Sequence, residues 1–350
     1  MVAIASFGEV IGSLVWGVYS YRLGNLPTFV RNGYRGPIYT TPATIDLCLA
    51  MLADSAFIQE KDIDFCNRRR EHRRKIGRNA ELCEPLYTTE DAENTFPLFR
   101  SVRLHTDQEL APGVKYRAYE AGHMLGSSSV VLEAEGLKLC FSGDCGRQGL
   151  PILHDPETPP PDVDYLIMES TYGDRFHAPM QDAADKLAEV VNRTARRGGR
   201  VIVPAFAVGR TQQLVMILHH LMDEQRIPSI PVYVDSPLAV NATEVFRKHP
   251  ECYDDEAGAF LTNHDDPFGF GRLRYVRDVN ESKALNDLRG PFIVLAASGM
   301  CEAGRILHHL RNNISDPRNT VLITGYQAEN TLGRKILERH AEVPIFGEPT

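Results

Sequence analysis

The sequence predicts an α/β protein in two parts: a β-rich unit over residues 1–177, then a parallel α/β domain over 178–345. Two observations predict it. Between residues 114 and 144 three short runs, VKYRAYEAG, SSSVVLEAEG and LKLCFSG, follow one another across Gly-containing turns. That is the pattern of antiparallel hairpins with one face toward a core. From residue 178 onward, apolar strand-like runs alternate with helical ones four times. Such alternation builds a parallel sheet through crossover connections.

Element by element, PIYTT (37–41) reads as a short strand before Pro42, and Ile45, Leu47, Leu49, Met51 and Leu52 give the next segment a broad apolar helical face. The stretch EKDIDFCNRRREHRRKIGRNAE leads with acids and follows with bases, which suits a solvated helix or loop. DVDYLIMES (162–170) is a strand ending at Glu169, and the tight turns before it suggest stacked sheets. In the second part a helix over 178–197 precedes VIVPA (201–205), and a helix from Thr211 through Leu221 follows it. IPVYVD (230–235) leads into a helix at Ala239–Lys248, FIVLAA (292–297) into one at Ala303–Asn312, and TVLITG (320–325) into one at Thr331–His340.

Composition narrows the function classes. With 350 residues and 43% hydrophobic residues, the chain has enough apolar material for about two packed domains. Subtracting 46 acidic from 38 basic residues leaves −8, which excludes holding nucleic acid by bulk positive charge while allowing a local basic cleft. No apolar run reaches the roughly 18 residues a membrane span needs. The apolar start has neither a basic leader nor an A-x-A-like cleavage site, so no signal peptide is expected. The seven cysteines are scattered without a C-x-x-C pair, which points to the cytoplasm rather than to a disulfide framework.

Candidate chemistry sits at strand ends. His123 in AGHMLGSSS has small neighbours that leave its imidazole accessible, and Asp144 in FSGDCGR sits between Gly143 and Gly146. Imidazole plus carboxylate on adjacent loops is a mixed N/O pair suited to a metal, although zinc takes at least three protein ligands. Glu169, at the end of an apolar strand, can orient a metal-bound water or a ligand histidine. Asp174 and Arg175 are placed to pair locally. In the second part Arg210, Ser236 and Ser298 follow strands, where amide donors and helix starts gather phosphate. Neither a Walker A loop nor a G-x-G-x-x-G fingerprint occurs, so ATP and NAD gain no support.

Seven strings occur in order: AGHMLGSSSVVLE, FSGDCGR with LPIL, YLIMESTYGDR, VIVPAFAVGRTQQ, VYVDSPLAV, LAASGMCEAGRILHHL and LITGYQAENTLGR. From about Gly24 onward the chain resembles the metallo-β-lactamase-fold ribonucleases that carry an inserted β-CASP domain. The resemblance implies an αββα metallo-β-lactamase sandwich, incomplete here, with the β-CASP domain as a parallel α/β insertion over 178–345. Residues 346–350 would begin the return to the first domain. It implies two zinc ions, single-stranded RNA as substrate, and a homodimer. On that match His123 and Asp144 are metal ligands, Asp144 bridges both ions, and Glu169 is the first β-CASP acid, sharing proton handling with a downstream histidine. Arg210, Ser236 and Ser298 would hold RNA phosphates.

The departures from that pattern matter equally. The family's H-x-H-x-D-H motif belongs where this chain reads GVYSYR, so Gly17, Tyr19, Tyr21 and Arg22 take the four ligand positions. None of these residue types is a normal zinc ligand, and Arg22 brings a cation. The first sandwich strands and the family's later His-Ala-Asp motif and final histidine are also missing from this reading. The expectation is therefore a chain that does not hydrolyse RNA. Three readings stand: an incomplete or frame-disrupted product of a nuclease gene; a non-catalytic homologue that binds RNA or dimerises; and another phosphoesterase activity on the scaffold. An interaction scaffold without substrate is the contrasting class. A sandwich missing strands leaves unpaired edges and apolar faces, so residues 1–60 are expected to be only marginally stable.

Overall fold

The computed structural model describes residues 25–75, 81–174, 176, 180–263 and 266–350. Contacts divide these into two compact units, one ending at Gln148 but resuming over His154–Gly173, the other made of Gly149–Leu153 and Asp174–Thr350.

The first unit begins with α1 (Leu26–Arg31), β1 (Ile38–Thr40) and α2 (Pro42–Lys75). Proline is tolerated at the first turn of α2, where its missing N–H has no intrahelical acceptor. The Thr44 amide donates to Thr41 Oγ1 at 3.3 Å, and the Thr41 and Thr44 hydroxyls donate to the Gly126 carbonyl at 2.7 and 2.9 Å. The charge-dense stretch that suited helix or loop continues α2 as helix through Lys75. No Gly or Pro interrupts it from Ala43 to Ile76. Its outer half is held from alongside: Thr89 donates through its amide and hydroxyl to Glu60, and Asn67 exchanges two hydrogen bonds with the Cys83 backbone. Helix α3 (Thr89–Thr95) starts with a reciprocal Thr88/Asp91 capping box, and β2 (Phe99–Ser101) pairs parallel with β1. Leu26, Ile38, Cys48, Leu52, Ala56, Tyr87, Ala92 and Phe99 pack as one buried cluster between these elements.

The rest of this unit is a five-stranded sheet in the order β3 (Gln108–Ala111), β4 (Val114–Glu120), β5 (Ser128–Ala134), β6 (Leu137–Phe141), β7 (Tyr165–Ile167). The first four are antiparallel neighbours and β7 joins β6 in parallel. The β5–β6 connection is the two-residue loop Glu135–Gly136, both at positive φ, the turn whose twist matches paired strands. Tyr116, Ala118, Val130, Leu132 and Phe141 form the buried layer on the sheet. Of the run read as a strand over 162–170, only three residues pair, and Tyr165, Leu166, Ile167 and Met168 are all exposed.

The second unit is a five-stranded, wholly parallel sheet in the order β10 (Leu273–Tyr275), β9 (Val232–Val234), β11 (Ile293–Ala296), β8 (Val201–Pro204), β12 (Thr320–Val321). Its helices are α4 (Met180–Arg196), α5 (Arg210–Asp223), α6 (Pro237–Lys248), α7 (Asp255–Asn263), α8 (Val279–Ala284), α9 (Ile306–Asn313) and α10 (Leu332–Leu337). Four strand–helix units were legible; β10 was not, nor were α7 and α8. β10 lies on the sheet edge within RLRYVRD, where Arg272, Arg274 and Arg277 break up any apolar run. The three central strands β9, β11 and β8 are buried along nearly their whole length, as a sheet covered on both faces requires. A short antiparallel hairpin, β13 (Pro344–Ile345) with β14 (Glu348–Pro349), closes the chain.

Candidate functional site

In the first unit β4 and β6 both run opposite to β5, and β7 runs with β6. The C-terminal ends of β4, β6 and β7 therefore share one end of the sheet. His123 follows β4, Asp144 follows β6 and Glu169 follows β7. Direction alone thus gathers the three residues singled out from the sequence.

Close contact between the loops sets their spacing. The Gly146 amide donates to the Ala121 carbonyl at 2.8 Å. A Cβ on Gly146 would sit 1.9 Å from the Gly122 carbonyl oxygen, so only glycine lets the two loops touch there. His123 Nε2 then stands 3.9 Å from Asp144 Oδ2, with both side chains partly open to solvent. Ser127 Oγ accepts from the amides of His123 and Met124 at 3.2 and 3.0 Å, which fixes the histidine's backbone. Beneath the loop, Glu120 is buried and its Oε1 accepts from the Gly122 amide at 2.8 Å. Burial pushes the Glu120 carboxyl above the usual carboxylate range, and the Gly122 amide opposes that shift.

Glu169 acts on the same loop. Its Oε1 accepts from the Cys145 amide at 2.7 Å and its Oε2 from the Thr171 hydroxyl at 2.6 Å. Its own amide donates to Ser142 Oγ at 3.3 Å. The carboxylate is thus spent on holding the residue next to Asp144. Among the described residues no group of three or more His, Cys, Asp and Glu is placed to hold a metal ion. A zinc centre takes at least three protein ligands, so the pair His123 and Asp144 does not by itself fit one. Gly17, Tyr19, Tyr21, Arg22 and Arg175 lie outside the described residues.

In the second unit the three remaining candidates follow three adjacent strands: Arg210 after β8, Ser236 after β9 and Ser298 after β11. All five strands are parallel, so these loops stand at one edge, where ligands of open α/β sheets bind. Ser236 caps α6 by accepting from the Ala239 amide at 3.2 Å. Ser298 Oγ accepts from the Glu302 and Ala303 amides at 3.1 and 3.3 Å. Arg210 opens α5 behind Gly209.

Two features of this edge escaped the sequence reading. Phe206, in the loop after β8, is an exposed ring whose carbon lies 2.8 Å from where a Cβ on Gly299 would be. The exposed Tyr326 follows β12 on the same edge. Their signal in the sequence is position: Phe206 directly follows VIVPA and Tyr326 directly follows TVLITG. The second feature is the fully buried Asp235 at the end of β9. It accepts from Arg305 Nη1 at 2.6 Å and from Ser282 Oγ at 2.6 Å, and His309 Nε2 stands at 2.7 Å. Arg305 also donates to the Val276 and Arg277 carbonyls, at 3.2 and 2.6 Å. Burial pushes the Asp235 carboxyl up, but the bonds from His309, Ser282 and Arg305 outweigh it and hold it below the usual range.

Comparison with known proteins gives the family. Residues 211–336 match the Beta-Casp domain. The chain is 35% identical over 341 residues to ribonuclease TTHA0252 of Thermus thermophilus, covering 97% of this chain and 73% of that protein. It is 30% identical over 314 residues to endoribonuclease ysh1 of Schizosaccharomyces pombe, covering 89% of this chain and 38% of that one. An RNase J-like protein of Methanocaldococcus jannaschii is 31% identical over 262 residues, or 74% of this chain and 60% of its own length. The chain thus spans nearly three quarters of the first of these relatives and less than two thirds of the other two. Strand direction, loop contacts and these matches converge: the chain belongs to the metallo-β-lactamase/β-CASP family of ribonucleases.

Proposed function

We propose that this chain binds single-stranded RNA and, as written, does not hydrolyse it. The observation that carries the reading is the state of the hydrolytic end of the first unit. His123 and Asp144 stand together there while the positions in register with the family's main ligand motif read Gly17, Tyr19, Tyr21 and Arg22. Family membership supplies RNA as the substrate class and zinc as the expected metal. The strand-end loops carrying Arg210, Ser236 and Ser298, with the exposed rings of Phe206 and Tyr326, suit phosphates and bases. Glu169 acts in this reading as a positioning residue, because its carboxylate holds the Cys145 amide. The cytoplasm is the compartment proposed, on the cysteine pattern; no helix among the described residues is long and apolar enough to cross a membrane. A homodimer is proposed on family resemblance.

The test pairs binding with turnover on the full chain. Fluorescence anisotropy with a labelled unstructured RNA is expected to give saturable, salt-sensitive binding. The same RNA incubated with zinc is expected to yield no product, and elemental analysis to find well under one zinc per chain. Zinc-dependent product that disappears in His123→Ala would overturn the non-hydrolytic part; absence of any RNA binding would overturn the rest.

A further inference from the structure

We propose that the solvent face of α2 is a second RNA-binding surface, built by Phe57, Lys61, Phe65 and Arg68 and suited to single-stranded RNA. The proposal rests on the reading that the chain binds RNA at all, and extends it to residues that belong to neither set of strand-end loops.

The four residues follow spacings of four, four and three along a continuous helix, which sets them on one face. That face is opposite the one that buries Cys48, Leu52 and Ala56. All four are exposed, and the phenylalanines keep 54% and 59% of their surface open. One exposed large apolar residue needs no explanation, but two rings on one face, each next to a cation, do. Lys61 Nζ lies over the Phe57 ring, 5.3 Å from its centroid. Arg68 Nε is turned back to the Asp64 carbonyl at 3.3 Å, which holds the guanidinium base against the helix. At 1.5 Å rise per residue, Phe57 and Phe65 are about 12 Å apart along the axis, with Lys61 midway.

Rings alternating with cations are the means by which proteins hold single strands without reading sequence: bases stack on rings and phosphates meet Lys and Arg. Charge favours the same occupant. Over residues 57–66 the acids Glu60, Asp62 and Asp64 outnumber Lys61, but between residues 67 and 78, where Arg68 lies, the sequence carries seven Lys and Arg against one acid, Glu71, in a chain whose net charge is −8. The chain's bulk charge repels a polyanion, so contact would be steered to this end of α2. A purely apolar protein partner would not need a cation beside each ring.

The experiment uses the full chain, a labelled unstructured 20-nucleotide RNA and two double variants. Lys61→Gln with Arg68→Gln should flatten the slope of log affinity against log salt by about 1.4, from about 0.7 per lost phosphate contact. Phe57→Ala with Phe65→Ala should weaken binding roughly fivefold or more while leaving that slope unchanged. In the unmodified chain, RNA should slow acetylation of Lys61, read by peptide mass spectrometry; this readout needs no variant to fold. If the chain binds RNA while both variants match it and Lys61 acetylates at an unchanged rate, the surface is refuted and the RNA-binding reading survives. If the variants change only the sedimentation of the protein, a second copy occupies the face and the proposal fails. If the chain binds no RNA, both fall.

Discussion

Gly146 carries more of the candidate site than any titratable group. The loop after β6 approaches the loop after β4 so closely that a methyl group at Gly146 would collide with backbone rather than with a movable side chain. Gly146→Ala must therefore push the loops apart, at a cost in the range of about 1–3 kcal/mol for overpacking. The expected result is a lower urea midpoint, together with faster amide exchange over 121–127 and 142–147. Unchanged stability would mean that the loops part without strain, and that the 3.9 Å separation of His123 and Asp144 is loosely held. The sequence made this site partly readable because small residues flank both functional ones. It did not show what Glu169 does. A carboxylate at a strand end is compatible with a metal-bound water, a ligand histidine or an amide, and only the positions of the Cys145 amide and the Thr171 hydroxyl decide that it holds the loop. The same limit applies to Ser236 and Ser298, whose hydroxyl oxygens accept from the Ala239 amide at the start of α6 and from the Glu302 and Ala303 amides in the loop before α9.

At the scale of elements, period and length governed what could be read. The hairpins β4–β6 and the strands β8, β9 and β11 were legible because apolar runs were bounded by turn residues. The second half of α2 was ambiguous because charge density says nothing about backbone, and its helicity is secured by Glu60 and Asn67 binding the 81–89 segment. The buried Asp235 was invisible, since its partners Ser282, Arg305 and His309 are 47, 70 and 74 residues away. That network joins β9 to α8 and α9, and removing its carboxylate leaves Arg305 without its buried counter-charge. Asp235→Asn should cost roughly 3 kcal/mol in the second unit, the scale for breaking one partner of a buried pair. The pH dependence follows from the folded carboxyl lying below its usual range. Its stabilisation is present above the unfolded value of about 4 and is lost as pH falls through the folded value. The gap between wild type and Asp235→Asn should narrow as pH falls below about 4, by amide exchange of β9 and β11 peptides. A gap that widened below that pH would contradict the network.

For the whole molecule, the change of period near residue 178 predicts two parts, but it says nothing of the path the chain takes. Residues 149–153 precede that change by some 25 positions and nevertheless group with the second unit. The physical reason is local burial. Ile152 and Leu153 are only 1% and 4% exposed, Leu153 forms a bridge with Tyr253, and the Asp254 amide donates to the Ile152 carbonyl at 2.8 Å. A five-residue excursion has no periodicity to betray it, and apolar residues beside Pro151 read equally well as the end of a loop. Leu153→Ala distinguishes the two assignments in the intact chain. Truncating a buried leucine costs about 2–5 kcal/mol, depending on how far its surroundings collapse. That loss should appear in the unit to which the side chain belongs. Amide exchange is expected to quicken around Tyr253 and in α7, and through β8–β11 wherever exchange requires the whole unit to open. Protection in β4, β5 and β6 should stay as it was. The reverse pattern, with the first sheet loosened and the second untouched, would return residues 149–153 to the unit in which their sequence neighbours lie.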